Sequence, residues 1–434
     1  MNVNTDVSHN SLIRDTMALV LAGGRGKRLK DLTEHSAKPS LPFGGQYRII
    51  DFTLSNCINS GIRRAGVLTQ YKSSDLNFHL QRAWGHLRWE YGEYVGLLPA
   101  QQQNGESWYQ GTADAVYQNL EILRSHGCKR IFILSGDHVY KMDYGQMLTA
   151  HIKSGAQISV ASIEVPIAEA KGLGVMELDE QNRVETFIEK PSEPGAFSKN
   201  GETNFASMGL YLFDFEVLEN LLMADANNPF SRHDFGFDIL PKALGHYQTN
   251  AYIFNSVNSS VQHYWRDVGT IDEYYRANMD LVSVEPELNL YDKAWPIFTY
   301  QEQLPGAKFI FNDEGMRGIA ADSIVGPGSI ISGAMIASSL LSSEVEVECG
   351  TQVHESVILP NVKIGKNCYL YKTLISEGCH IPDNTVIGAD PKLDQQRFYL
   401  SKKGVVLVTP EMLHNLKQSE NQQVELALDN SLSA

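Results

Sequence analysis

Met17-Ala18-Leu19-Val20-Leu21-Ala22-Gly23-Gly24-Arg25-Gly26-Lys27-Arg28-Leu29, with Lys38-Pro39 downstream, sets the reading of this chain. The apolar run at its start reads as a buried strand, so the glycines fall where a strand ends. Gly23, Gly24 and Gly26 permit a tight bend and a close approach of backbone amides to a phosphate. Arg25, Lys27, Arg28 and Lys38 gather four cations at the bend, enough to hold a triphosphate. The spacing is neither the G-x-G-x-x-G dinucleotide fingerprint nor a P-loop.

With 434 residues and 43% hydrophobic composition, the chain is expected to form two domains with substantial cores. A net charge of -15 argues against a nucleic-acid partner, and it makes Arg25 to Arg48 a basic island in an acidic chain. Cys57, Cys128, Cys349, Cys368 and Cys379 are odd in number and lack C-x-x-C spacing. They read as small buried residues or free thiols in a reducing compartment, not as a zinc site. Residues 1–16 form a polar extension without a signal-peptide core, and no apolar run approaches the roughly 20 residues needed to span a bilayer. The expectation is a cytoplasmic protein with no membrane contact.

From 17 to 284, short β-branched runs alternate with helical ones. Candidate strands are Met17–Leu21, Gly66–Thr69, Arg130–Ser135, Gln157–Val165, Ser207–Phe213 and Ala251–Asn255, with one helix expected from Thr112 to Ser125. The alternation predicts an α/β, Rossmann-like, mostly parallel sheet, with ligands beyond the C-terminal strand ends. Residues 285–306, carrying Pro286, Pro296 and Pro305, read as a linker. From 307 to 413 aliphatics recur every six residues: Ile324, Ile330, Ile336; Val347, Val353, Leu359; Ile358, Ile364, Leu370; Ile375, Ile381, Ile387. That beat predicts a parallel β-helix. Residues 414–434 form a polar tail.

Asp137 in Ser135-Gly136-Asp137-His138 and Asp267 in Trp265-Arg266-Asp267-Val268-Gly269-Thr270 each follow an extended run and stand beside a glycine. Two such carboxylates above a sheet suit Mg²⁺, which takes one or two protein oxygens and fills its shell with water and phosphate. Lys190 in Glu189-Lys190-Pro191 is a point charge suited to a phosphate monoester.

These motifs, in this order, resemble the sugar-phosphate nucleotidyltransferases. Arg48–Gly61, Pro99–Gln102, Trp108–Val116, His233–Gly236 and Tyr264–Thr270 narrow the resemblance to bacterial ADP-glucose pyrophosphorylases. The resemblance implies a left-handed β-helix, a homotetramer, and transfer of the adenylyl group of ATP to α-D-glucose 1-phosphate with Mg²⁺, a step of glycogen biosynthesis. It places Arg25, Arg28 and Lys38 on the ATP phosphates beside Gly23 and Gly24, and Gln101 or Gln102 with Gly111 against the adenine. Asp137 and Asp267 become the metal ligands, and Arg25, Arg28, Lys38 and Asp137 are the residues counted as catalytic. Tyr109, Gly174, Glu189, Lys190, Ser207, Asp234 and Trp265 become the sugar-phosphate site.

Relatives of enterobacterial type respond to fructose 1,6-bisphosphate and AMP at a basic interdomain pocket, which the resemblance places near His35, Arg48 and Lys372. Here His35 stands where a lysine is expected, Ser36 and Ser125 where arginines are, and Pro42 where a histidine is. Fewer charge-assisted contacts predict weaker or altered effector binding. Rival readings are a transferase for another sugar nucleotide, a non-catalytic regulatory subunit, and a β-helix acyltransferase using His354 or His380.

Overall fold

The computed structural model describes residues 12–416 and 418, apart from 25, 35, 101–107, 199–200, 255–263 and 312–314. Strand β1 (Thr16–Leu21) is buried on both faces up to its last residue, which accounts for its unbroken apolar reading. It lies between β2 (Arg64–Thr69) and β4 (Arg130–Ser135), parallel to both, with Val20 opposite Val67 and Leu134. Strand β3 (Tyr94–Pro99) continues the parallel order beyond β2.

Two further strands, the ribbon β5 (His138–Tyr140) with β11 (Trp265–Asp267), stand apart and place His138 opposite Asp267. The other half of the nine-stranded sheet holds β6 (Ile158–Pro166), β7 (Gly174–Leu178), β8 (Val184–Glu189), β9 (Thr203–Asp214) and β10 (Thr249–Ile253). Tracing the pairings from β1, seven of the nine strands run one way and only β8 and β9 oppose them. Strand β9 begins beyond the end of β4 and pairs with it only through Tyr211–Asp214. A register shift between Ser207 and Tyr211 marks the passage, a bulge beside the cleft. The expected helix from Thr112 to Ser125 is two helices, α2 (Thr112–Tyr117) and α3 (Leu120–His126). Asn119 breaks them, its amide bonding the Ala115 carbonyl (2.8 Å) and the Tyr109 hydroxyl (2.9 Å).

The proline-marked stretch 285–306 has no regular structure, yet it packs as a strap along α1 (Ile49–Asn59). Leu288, Trp295 and Ile297 are buried. Trp295 Nε1 donates to Asn56 Oδ1 (2.9 Å), and Asn59 Nδ2 donates to the Pro296 carbonyl (2.8 Å). Proline halts a ladder without preventing burial.

Beyond the strap, three parallel ladders of five strands each form the left-handed β-helix, and Tyr399–Leu400 adds an antiparallel sixth strand to one of them. Coils take 17 residues (Glu346 to Lys363 to His380), and the one before them takes 16 (Ile330 to Glu346). A coil shorter than three hexapeptides explains why the six-residue beat slips. Ile358, Ile364 and Leu370 all point inward, as do Ile375, Ile381 and Ile387. In the first set the expectation misses by one residue: Ile330 is 38% exposed while Ile331 is fully buried. Leu359 is buried not inside the β-helix but against the sheet domain, in a cluster with Leu41, Phe43, Ile49, Phe52 and Leu374. Among the described residues no helix is long and apolar enough to cross a membrane.

The inward register yields a test. Replacing Ile331 by Ala should destabilise the protein by about 2–5 kcal/mol. Replacing its neighbour Ile330 by Ala should change stability by no more than about 0.5 kcal/mol. Urea denaturation of the two variants measures both.

Candidate active site

Beyond the ends of β1 and β4 lies a cleft of 510 Å³. Gly23, Gly24, Arg28, Asp137 and Asp267 line one side of it. Tyr109, Gly111, Gly174, Glu189 and Lys190 line the other, with Ser207, Asp234 and Trp265. Sites assigned from stretches more than two hundred residues apart are thus brought together. Arg25, Gln101, Gln102 and His35 lie outside the described residues. The five cysteines are unpaired, four of them buried.

On the phosphate side, Lys38 sits in a one-turn 3-10 segment (Lys38–Ser40) just past the glycine turn. Its Nζ lies 2.7 Å from Asp267 Oδ1 and 3.0 Å from Asp137 Oδ2. Arg28 Nη2 stands 3.6 Å from Asp267 Oδ2. A Cβ on Gly269 would lie 2.7 Å from that nitrogen, so a side chain there would displace the guanidinium from this position. Burial by itself would push Asp267 up, but the charges of Lys38, His138 and Arg28 outweigh it and hold the carboxyl well below the usual range. Burial works against the Lys38 ammonium in turn, and the two carboxylates more than offset it, so its pKa is raised.

His138, to which the Gly-Asp-His motif by itself gives no role, joins the paired carboxylates. Its Nε2 lies 3.6 Å from Asp137 Oδ1 and 3.9 Å from Asp267 Oδ1, with the ring edge-on to Trp265. Asp137, His138 and Asp267 present ligand atoms within 4.8 Å of one another, a donor set that fits a divalent cation. The Nδ1 of His138 and the Nε1 of Trp265 are buried without a hydrogen-bond partner among the described residues.

On the sugar side, Glu189 is held between two glycines: a Cβ on Gly174 or Gly236 would lie 2.7 or 2.6 Å from its Oε2. Lys190 adopts φ 51°, a strained conformation for a side-chain-bearing residue, and its Nζ lies 2.8 Å from Glu189 Oε1. Asp234 caps the turn at Phe235–Ile239, accepting from the Gly236 and Phe237 amides, and takes the Thr112 hydroxyl at 3.0 Å. Its carboxylate organises the wall it lines. Ser207 Oγ accepts the Gly209 amide (3.2 Å) within the bulge. The Tyr109 hydroxyl bonds Asn119 and the Leu98 carbonyl, leaving its ring to the cleft. Gly111 lies against the His233 carbonyl, where a side chain would collide.

Of the positions expected to be regulatory, the two described ones, Arg48 and Lys372, do not line the same cleft. Arg48 Nη1 donates to Asp75 Oδ2 and to the Ser40 carbonyl, both at 2.6 Å. It lines an interdomain cleft of 170 Å³ whose other charged groups are Arg82, Asp75, Glu302, Glu344 and Glu377, with His79 beside them. Lys372 occupies a β-helix corner and does not line that cleft. His354 and His380 lie on different ladders of the β-helix.

Residues 17–284 match the nucleotidyl transferase family, and residues 305–408 match the GlmU-like C-terminal hexapeptide family. The chain is 54% identical over 402 residues to the glucose-1-phosphate adenylyltransferase of Methylococcus capsulatus, covering 93% of this chain and 95% of the relative. It is 55% identical over 403 residues to that of Nitrosococcus oceani, with the same coverage. Against that of Teredinibacter turnerae it is 53% identical, covering 93% and 97%. With its glycine turn, paired aspartates and hexapeptide coils all inside those matches, the chain belongs to the nucleotidyl transferase family, among the glucose-1-phosphate adenylyltransferases.

Proposed function

We propose that this protein transfers the adenylyl group of ATP to α-D-glucose 1-phosphate, giving ADP-glucose and pyrophosphate. The observation that carries the reading is a single cleft with cations and paired aspartates on one side and the Glu189–Lys190 unit on the other. Both reactants are polyanions, so repulsion between them and charge developing on the leaving pyrophosphate are the main barriers. An oxygen of the sugar phosphate attacks the α-phosphorus of ATP in line with the departing pyrophosphate. Cations and positioning suffice for this, with no covalent nucleophile. Arg25, Arg28 and Lys38 neutralise the triphosphate, Lys190 holds the sugar phosphate, and Glu189 bonds sugar hydroxyls. Asp137 and Asp267 would hold Mg²⁺, which supplies charge neutralisation on the phosphates when bound. Pyrophosphate release from ATP, glucose 1-phosphate and Mg²⁺ tests the reading directly. A nucleotide panel separates it from transfer of another base, and activity of the chain alone separates it from a regulatory subunit.

A homotetramer is part of the proposal, supported by the exposed apolar side chains of Phe309, Phe311, Ile319 and Met335 on the first coils of the β-helix. Effector control is the other part, and here the residues around Arg48 favour a muted response. Burial raises the Glu377 carboxyl, Arg48 partly opposes this, and Asp75 adds to it, so the pocket already crowds acids onto its arginine.

Three outcomes are expected. Asp137→Ala should lower kcat by on the order of a hundred- to a thousandfold, the usual loss of about 3–4 kcal/mol for a well-placed transition-state group. Lys190→Ala should raise the apparent KM for glucose 1-phosphate strongly; an unchanged KM would remove it from the sugar site. Fructose 1,6-bisphosphate titrated into the assay should activate weakly, without strong activation in the micromolar range.

A further inference from the structure

Lys38 does not point where a phosphate-binding lysine is expected to point. Its ammonium lies between the two carboxylates assigned to the metal, 2.7 Å from Asp267 Oδ1 and 3.0 Å from Asp137 Oδ2, with only 6% of its side chain exposed. A divalent cation shared by those oxygens would sit about 2.0–2.1 Å from each if it were Mg²⁺. The ammonium and the metal therefore compete for the same two carboxylates, most directly at Asp267 Oδ1, which also faces His138. We propose that Lys38 holds the metal seat until ATP arrives, so that a divalent cation enters with the nucleotide phosphates and not before them. The proposal rests on the reading above, in which this cleft takes ATP.

Charge makes the same point. The two carboxylates already face the cations of Lys38 and Arg28, with the His138 imidazole beside them. A dication arriving alone finds its ligands neutralised and meets an ammonium in the same gap. Phosphates change the balance, because they offer Lys38 new acceptors and bring negative charge to compensate the metal.

The geometry supplies somewhere for the ammonium to go. A cleft of 250 Å³ adjoins the site, lined by Lys38 itself, Lys27, Arg28, Gly24, Gly26 and Asp137. The stem of Lys38 starts at the glycine turn, where a Cβ on Gly26 would lie 3.3 Å from Lys38 Cβ. Rotation about the four-carbon stem moves a lysine ammonium from carboxylates to phosphates without moving backbone. An arginine fork, rigid and bidentate, would be slower to yield both carboxylates. Lys38 thus positions the metal in time, by deciding when its ligands become free.

The experiment titrates Mn²⁺ alone into the full-length protein without nucleotide, reading free Mn²⁺ by electron paramagnetic resonance. Wild type should bind Mn²⁺ weakly at this site. Lys38→Met, which removes the charge and keeps the stem, should bind it at least about tenfold more tightly. Asp267→Asn added to that variant should abolish the gain. Lys38→Arg, which keeps a cation, should show no gain. If Lys38→Met leaves two carboxylates too exposed to each other to fold, Lys38→Gln takes its place, and Mn²⁺ should raise the thermal midpoint of either variant more than that of wild type. Affinity in Lys38→Met no higher than wild type, or an equal gain in Lys38→Arg, overturns the proposal. Because this readout needs no turnover, its failure is distinct from failure of the adenylyl-transfer reading, which is judged by pyrophosphate release from wild type.

Discussion

Lys38 reaches both Asp137 and Asp267 only because three stretches remote in sequence end at one point. Lys38 follows the turn that leaves β1. Asp137 follows β4, which lies beside β1. Asp267 ends β11, which pairs with the strand that Asp137 precedes. Two carboxylates this near one another both stay ionised only with cations beside them, so the arrangement constrains the groups around it. Gly269, bare of a side chain, leaves room for Arg28, and Thr270 starts helix α4 (Ile271–Asp280) by accepting the Glu273 amide.

The same constraint explains why the β-helix is more than an appendage. Leu29, Val139 and Val268, which flank the cations and acids in sequence, share one buried cluster with Leu340, Val357, Leu374 and Leu407 of the β-helix. Helix α4 adds polar ties across the boundary: Tyr275 donates to the Glu355 carbonyl, and Ser401 donates to Asp272. The strap over α1 fixes the opposite side through Asn56, whose side chain also holds the Tyr140 carbonyl and the Met142 amide. Backbones that carry the charged groups are thus held by apolar contacts from a second domain, which lets the charges themselves remain exchangeable.

Work is divided within the cleft by chemistry. One side is rich in cations on flexible stems and backbone amides at a glycine turn, suited to a polyphosphate of variable pose. The other is rigid: Glu189 between two glycines, Lys190 in a strained backbone, Asp234 spent on a cap. A sugar needs fixed directional partners, and a rigid wall provides them.

Much of this was legible in the chain because local pattern reports side-chain direction. An unbroken apolar run such as Met17–Val20 marks a strand covered on both faces, a six-residue beat marks stacked coils, and an acid beside glycine after a strand marks a turn above the sheet. Partner choice is not local. Periodicity could not separate Ile330 from Ile331, since a coil of 16 or 17 residues shifts the beat by one. Proline content suggested a linker where burial made a strap. Motif order points Lys38 toward a phosphate, and it does not disclose that the folded chain also sets it between two carboxylates and ties Arg48 to Asp75. Sequence determined which segments become strands, coils and charged turns, because those follow from each residue's immediate neighbours. Only the tertiary structure decided which charges face one another, because that energy depends on the distance between segments the chain alone does not bring together.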